Sequence, residues 1–262
     1  MTSARKSRAA RRAVPTPPPS PGARRASPRA LALVGGLAAV ATVAIVLAVV
    51  LSGGKPSTPT APAIGTLRNA LPGAAEVNAL FAGIPQQGMR LGRASAPVTM
   101  VEYLDLQCPY CKEVETNVLP DVIARFVRTG KAKLILRPLA FTGPDSVRGR
   151  DALIAASHQN RAFNFADLLY VNQGTENTGW LDDSMVAAAA ASIPGLKVHV
   201  LLVERKSAGV SKLAAQYDSL ASASHVDATP TFVTGSSFGG PKTTLTAPSA
   251  AALSAALDAD LH

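Results

Sequence analysis

Val98 to Cys111 reads VTMVEYLDLQCPYC. The first seven residues, VTMVEYL, are β-branched and apolar and follow Pro97, which predicts a buried strand. Pro109 suits the first position of a helix, where its missing N–H costs nothing. Cys108 therefore opens a helix, expected to run to about Thr129 and to stop at Gly130. One strand residue is wrong for a core, Glu102. The stretch also holds both cysteines of the chain, Cys108 and Cys111, three apart.

Outward from this stretch the pattern stays legible. Lys133 to Leu139 (KLILRPL) predicts a second strand, with Pro138 marking its end or an edge. Asp145 to about Asn172 and Asp182 to about Leu220 are helical in composition, broken at Gly174–Gly179 and at Pro194–Gly195. Thr231 to Thr234 is a short strand, which Lys242 to Leu245 can join through a Gly-rich turn. Ser249 to Leu261 is a closing helix. Strand, helix, strand, helical block, hairpin and helix make an α/β domain over residues 86–262, with a helical insertion at about 145–220.

The 262-residue chain carries a net charge of +9, but the excess is local. Arg5, Lys6, Arg8, Arg11, Arg12, Arg24, Arg25 and Arg29 crowd the first 29 residues, and the first acid is Glu76. A basic tail is not a nucleic-acid face, and its Pro-, Ser- and Ala-rich composition predicts disorder over 1–29. Residues 30–51, ALALVGGLAAVATVAIVLAVVL, carry no charge and match the roughly 20 apolar residues that span a bilayer as a helix. The alternative is a cleaved signal peptide, whose apolar core is shorter, about 7–15 residues. Both readings keep the arginines in the cytoplasm and place everything after Leu51 outside. Residues 52–85 are a linker and lead-in: Pro, Gly, Ser and Thr dominate as far as Gly73, and a short helix follows.

Four chemistries compete for the two cysteines. A zinc site needs four ligands, and His158, His199, His225 and His262 show no paired spacing. Covalent haem needs a histidine after the second cysteine, where Lys112 stands. An inert disulfide closing so short a loop stabilises little. A redox dithiol explains the most. At a helix start, residues i and i+3 lie about 5–6 Å apart on one side, a separation that suits a disulfide. The positive helix end favours a thiolate at Cys108, with an expected pKa of about 4–6.5. Cys111, one turn inside, is the resolving sulfur. Glu102 either exchanges a proton with Cys111 or faces an arginine or solvent at a strand edge.

VEYLDLQCPYC resembles the active site of the DsbA-like thiol:disulfide oxidoreductases, in their membrane-tethered actinobacterial form. The resemblance implies a thioredoxin-like fold with a helical insertion, over about Gln86 to His262. It places Glu102 where the family has a buried glutamate six residues before the first cysteine. It also aligns DATPTFVTG (Asp227–Gly235) with the segment that carries a cis-proline, here Thr229–Pro230. A cis bond there would leave the Thr229 N–H and C=O open to an extended client chain. The expected site is Cys108, Cys111, Glu102 and Pro230 as catalytic residues, with substrate contact at Thr229, Pro109 and Tyr110. No metal and no cofactor are expected. The implied activity is oxidation of thiols in exported proteins, with a quinone-linked membrane partner restoring the disulfide. The resemblance departs at Tyr110, where the strongest oxidants carry histidine, so a milder oxidant is expected. Two other classes stay open: a reductase or isomerase on the same fold, and a tethered binding module or chaperone whose dithiol is incidental.

Overall fold

The computed structural model describes residues 61–262. The basic tail 1–29, the apolar run 30–51 and the tether to residue 60 lie outside the described residues. Among the described residues no helix is long and apolar enough to cross a membrane.

The centre is a six-stranded sheet. In chain order its strands are β1 (Gln86–Gln87), β2 (Arg90–Leu91), β3 (Val98–Leu104), β4 (Ala132–Pro138), β5 (Thr231–Ser236) and β6 (Lys242–Thr246). Across the sheet the order is β1-β2-β4-β3-β5-β6. β3 runs parallel to β4 and antiparallel to β5, so the VTMVEYL strand has a partner on each side and its side chains are nearly all inside. That is why it reads as a continuous apolar run rather than an alternating one. The β3–β5 register sets Tyr103 against Thr231. The loop after Leu104 and the loop before Thr231 therefore emerge at the same end of the sheet, which brings Cys108 and Pro230 together.

The expected single helix from Cys108 to Thr129 is three pieces: α2 (Pro109–Asn117), α3 (Leu119–Val122) and a π-helical turn (Ile123–Val127), α1 being the preceding Ala74–Phe81. Pro120 explains the interruption, because it has no N–H for the helical ladder and its ring crowds the preceding turn. The π turn closes with the Arg128 N–H donating to the Ile123 carbonyl at 2.8 Å, and Gly130 (φ 79°) leaves it in the left-handed region. Pro138 ends β4. It lies beyond the reach of β2, which pairs only with Leu134 and Ile135, so its missing donor is not needed.

Between β4 and β5 the chain inserts α4 (Pro144–Ser157), α5 (Ala162–Val171), α6 (Asp183–Ala191), α7 (Val198–Glu204) and α8 (Ala208–Ala223). α4 and α8 pack on β4, α5 packs on α1, α2 and α4, and the closing α9 (Ala250–Ala259) packs on β5 and α3. The segment read as linker and lead-in is folded from residue 63 onward. Lys197 pairs with Ile64, and the Gly65 N–H donates to the Leu196 carbonyl at 2.8 Å. α1 buries Ala74, Val77 and Phe81, and the Phe81 ring meets Phe163 of α5 at 5.9 Å between centroids. Such an aromatic pair adds about 0.5–1.5 kcal/mol beyond its buried area.

Candidate active site

Cys108 stands at the N-cap of α2 with extended backbone (φ −69°, ψ 122°), and Pro109 follows at the first helical position. Both cysteines are in the thiol form. Their surroundings differ. Cys111 has no exposure at all, whereas Cys108 keeps 7%. The Cys108 thiol pKa is drawn down from 9.0 to about 6. The largest cause is the Cys111 S–H, which donates to the Cys108 sulfur; partial burial works the other way; a hydrogen bond with Thr229 and the N–H groups of Cys111 and Tyr110 lower it further. These are the free donors of a helix start. Cys111 is pushed well above its usual value, first by burial, then by the bond it gives to Cys108 and by the charges of Cys108 and Glu102. One sulfur is therefore built to be a stable anion and its neighbour to be a thiol.

Thr229 and Pro230 lie directly across from Cys108. The Thr229–Pro230 bond is cis. The Thr229 carbonyl accepts the Cys108 thiol at 3.2 Å, so in the dithiol form it is occupied rather than open as expected. It can accept only while Cys108 holds its proton. Tyr110 is 67% exposed beside the sulfur, and Pro109 is exposed too.

Glu102 is fully buried, set in register between Leu136 of β4 and Phe232 of β5. It faces neither an arginine nor solvent. No N–H or hydroxyl reaches either carboxylate oxygen. The acids that act on it are Asp167 and Glu115. Burial, then the charge of Asp167, raises the Glu102 pKa from 4.5 to about 8. Glu115 and Asp167 are buried as well: burial and the charge of Glu102 push Glu115 well above the carboxylate range, and burial and the charge of Glu115 do the same to Asp167. Three buried acids thus lie near Cys111, and burial favours the protonated form of each.

Sequence reasoning missed Glu115, Asp167 and Asp105. Glu115 was findable, since it lies four residues after Cys111 and so on the same helix face. Asp105 interrupts the apolar run YLDL as a second misplaced acid. Asp167, on α5, carries no local signal, because only the packing of α5 on α2 brings it to the cluster.

A family described as Thioredoxin matches residues 85–259 of the chain. The probable disulfide bond formation protein D of Bacillus cereus is 31% identical over 125 residues, 47% of this chain and 57% of that protein. The chain spans about half the length of the curated relatives it matches. Among solved structures, oxidised BdbD from Bacillus subtilis superposes with a TM-score of 0.60 at 19% identity, covering 68% of this chain and 97% of that one. Wolbachia pipientis alpha-DsbA1 does so at 0.55 and 20%, covering 69% and 92%. These likenesses give the fold, a thioredoxin-like α/β sheet carrying a helical insertion. The family match spans the edge hairpin, Glu102, the dithiol helix, Pro230 and α9, and the chain belongs to the thioredoxin family.

Proposed function

We propose that the protein is a membrane-tethered thiol:disulfide oxidoreductase that oxidises thiols of exported proteins outside the cytoplasm. The observation that carries the reading is the asymmetry of the two sulfurs: Cys108 is lowered to about 6 at a helix start, and buried Cys111 is raised. A stabilised Cys108 thiolate favours the reduced pair, which makes the disulfide a good electron acceptor.

The step begins from the Cys108–Cys111 disulfide. A client thiolate attacks the Cys108 sulfur, forming a client–Cys108 bond and breaking the Cys108–Cys111 bond. Cys111 leaves with the electron pair and takes a proton, for which Glu102 is the donor in this reading. A second client thiolate then attacks the client sulfur of the mixed disulfide and releases Cys108 as a thiolate. The client gains a disulfide and the Cys108–Cys111 pair gains two electrons. Thr229 offers the client a backbone edge, Pro230 holds that edge opposite the sulfurs, and Pro109 and Tyr110 form the exposed rim. A quinone-linked membrane partner then withdraws the electrons.

Thiol trapping in growing cells tests the direction. The pair is expected mostly oxidised, and Cys111→Ser should accumulate mixed disulfides through Cys108 while Cys108→Ser accumulates few. A pair found mostly reduced, with activity that depends on a supply of reductant, would make the protein a reductase or isomerase instead. Full function in a variant lacking both cysteines would make it a binding module.

A further inference from the structure

The end of the sheet away from the dithiol is made by three loops. Residues 92–97 lead into β3, residues 128–131 lead into β4, and residues 237–241 join β5 to β6. Val98 of β3 stands in register with Ala132 of β4 and with Ser236 of β5, so all three loops emerge together. Lys133 ties them to one another. Its ammonium donates to the carbonyls of Ala94 and Ala96 at 3.1 Å each and to the Ser237 hydroxyl at 2.7 Å. That hydroxyl donates onward to the Ala96 carbonyl at 2.8 Å, and the Ser237 N–H donates to the Pro97 carbonyl at 2.7 Å. The Val98 N–H donates to the Lys131 carbonyl at 3.3 Å. A Cβ on Gly130 would stand 3.1 Å from the Arg93 side chain, so Arg93 lies against the second loop. These contacts make the three loops one surface.

The three loops contain no aspartate or glutamate. Arg93, Lys131 and Lys242, the last at the start of β6, are exposed, and none pairs with an acid among the described residues. Of the acids at the close of α9, Asp258 faces Arg125 at 3.9 Å instead. At the tip of the third loop stands Phe238, 84% exposed, the most exposed large apolar side chain among the described residues. Gly239 and Gly240 follow with φ of 107° and 112°, so the chain turns back without side chains that would shield the ring. Its neighbour Ser237 is the residue that Lys133 holds, so the ring is carried on a fastened base. An aromatic side chain flanked by unpaired cations suits an anionic bilayer surface, where the ring enters the headgroup–acyl boundary and the cations meet lipid phosphates.

We propose that this end of the domain docks on the outer face of an anionic membrane, with Phe238 at headgroup depth and Arg93, Lys131 and Lys242 on lipid phosphates. The bilayer is the occupant because the chain is tethered to one. Only residues 52–60 separate the apolar run from the first described residue, and fully extended they reach about 30 Å at most. The proposal rests on the membrane-tethered reading above. One ring and three charges fall short of a stable anchor, so the contact is reversible. The seven residues of β3, roughly 20 Å of strand, separate this end from the dithiol turn. Docking therefore points the dithiol toward exported clients, and a membrane partner takes the electrons once the domain lifts off.

The test uses the full-length protein reconstituted into vesicles of phosphatidylcholine alone, or of an equal mixture with phosphatidylglycerol. The quantity read is the loss of tryptophan emission when plain lipid is replaced by lipid brominated on its acyl chains. Phe238→Trp places an indole at the tip, and the parent protein, whose one tryptophan is Trp180, gives the background. The introduced indole is expected to be quenched in the mixed vesicles and little quenched in phosphatidylcholine alone. Arg93→Gln, Lys131→Gln and Lys242→Gln, each added to Phe238→Trp, should lower the docked-to-free ratio about fivefold apiece. Molar salt should lower it further. An introduced indole that is not quenched in the mixed vesicles overturns the proposal and leaves this face to a protein partner. Quenching indifferent to lipid charge and to the three substitutions overturns it too. Extraction of the chain from the vesicles by alkaline carbonate would overturn the tether instead, and docking is then read by the same quenching with the released protein added to the vesicles.

Discussion

Glu102 shows how a single side chain sets a pH dependence. Its pKa is raised from 4.5 to about 8 in the folded chain, chiefly by burial. Between those values the native state holds a proton that the unfolded chain has released. Stability therefore falls as pH rises through that window, by at most about 1.4 kcal/mol per pH unit for one group. Glu115 and Asp167, raised by the same cause, act with the same sign. Cys108 acts with the opposite sign in the reduced protein. Its pKa is lowered from 9.0 to about 6, so its contribution is full above the upper value and is lost as pH falls through the lower. Glu102→Gln takes one proton out of the balance. In urea unfolding of the reduced protein, the advantage of Gln over Glu should be small near about pH 5 and grow steadily toward about pH 8. Parallel stability curves for the two proteins would show that Glu102 is not protonated in the fold. The same held proton is the one proposed to pass to Cys111.

At the scale of elements, two boundaries came from the fold rather than from local pattern. The dithiol helix reads as one run to Gly130, because its apolar spacing continues past Pro120; the break there follows from the proline's missing donor. The strand-like strap at 63–66 sits in a Pro- and Gly-rich stretch that reads as tether. It is ordered by bonds to partners more than 100 residues away, with Thr66 donating to Ala191 at 2.8 Å and Val198 donating to Ala63 at 3.1 Å. Gly65 is the residue that allows this approach. A Cβ there would stand 2.2 Å from the Ile193 carbonyl oxygen and 2.5 Å from that of Ala190. Gly65→Ala should therefore peel the strap from the α6–α7 loop and lower stability by about 1–3 kcal/mol, while the Cys108 thiolate still titrates near 6. Thermal unfolding and thiolate absorbance against pH read the two effects separately. A variant as stable as the parent would mean that the strap contributes nothing.

At the scale of the whole molecule, the proposed topology places a basic tail inside, an apolar span at 30–51 and the redox domain outside. A reporter active only outside the cytoplasm, fused after His262, should give signal, and one active only in the cytoplasm should stay silent; the reverse would overturn the placement and the oxidase reading with it. A mature N-terminus beginning after Leu51 would replace the anchor by a cleaved signal. The charge asymmetry, the length of the apolar run, the buried β3 strand and the Cys-Pro-Tyr-Cys helix start were all legible in the residues, because each is a local pattern with a local cause: hydropathy, periodicity, or the free donors of a helix end. By itself the sequence determined that two thiols stand one turn apart at a helix start behind a strand bearing a misplaced acid. Only the tertiary structure decided what that acid meets. Asp167 joins Glu102 and Glu115 through the packing of a helix far along the chain, and the loop after β4 is fastened through the side chain of Asp105. A proton's free energy in a dry pocket depends on every group around it, and spacing along the chain does not say which groups those are.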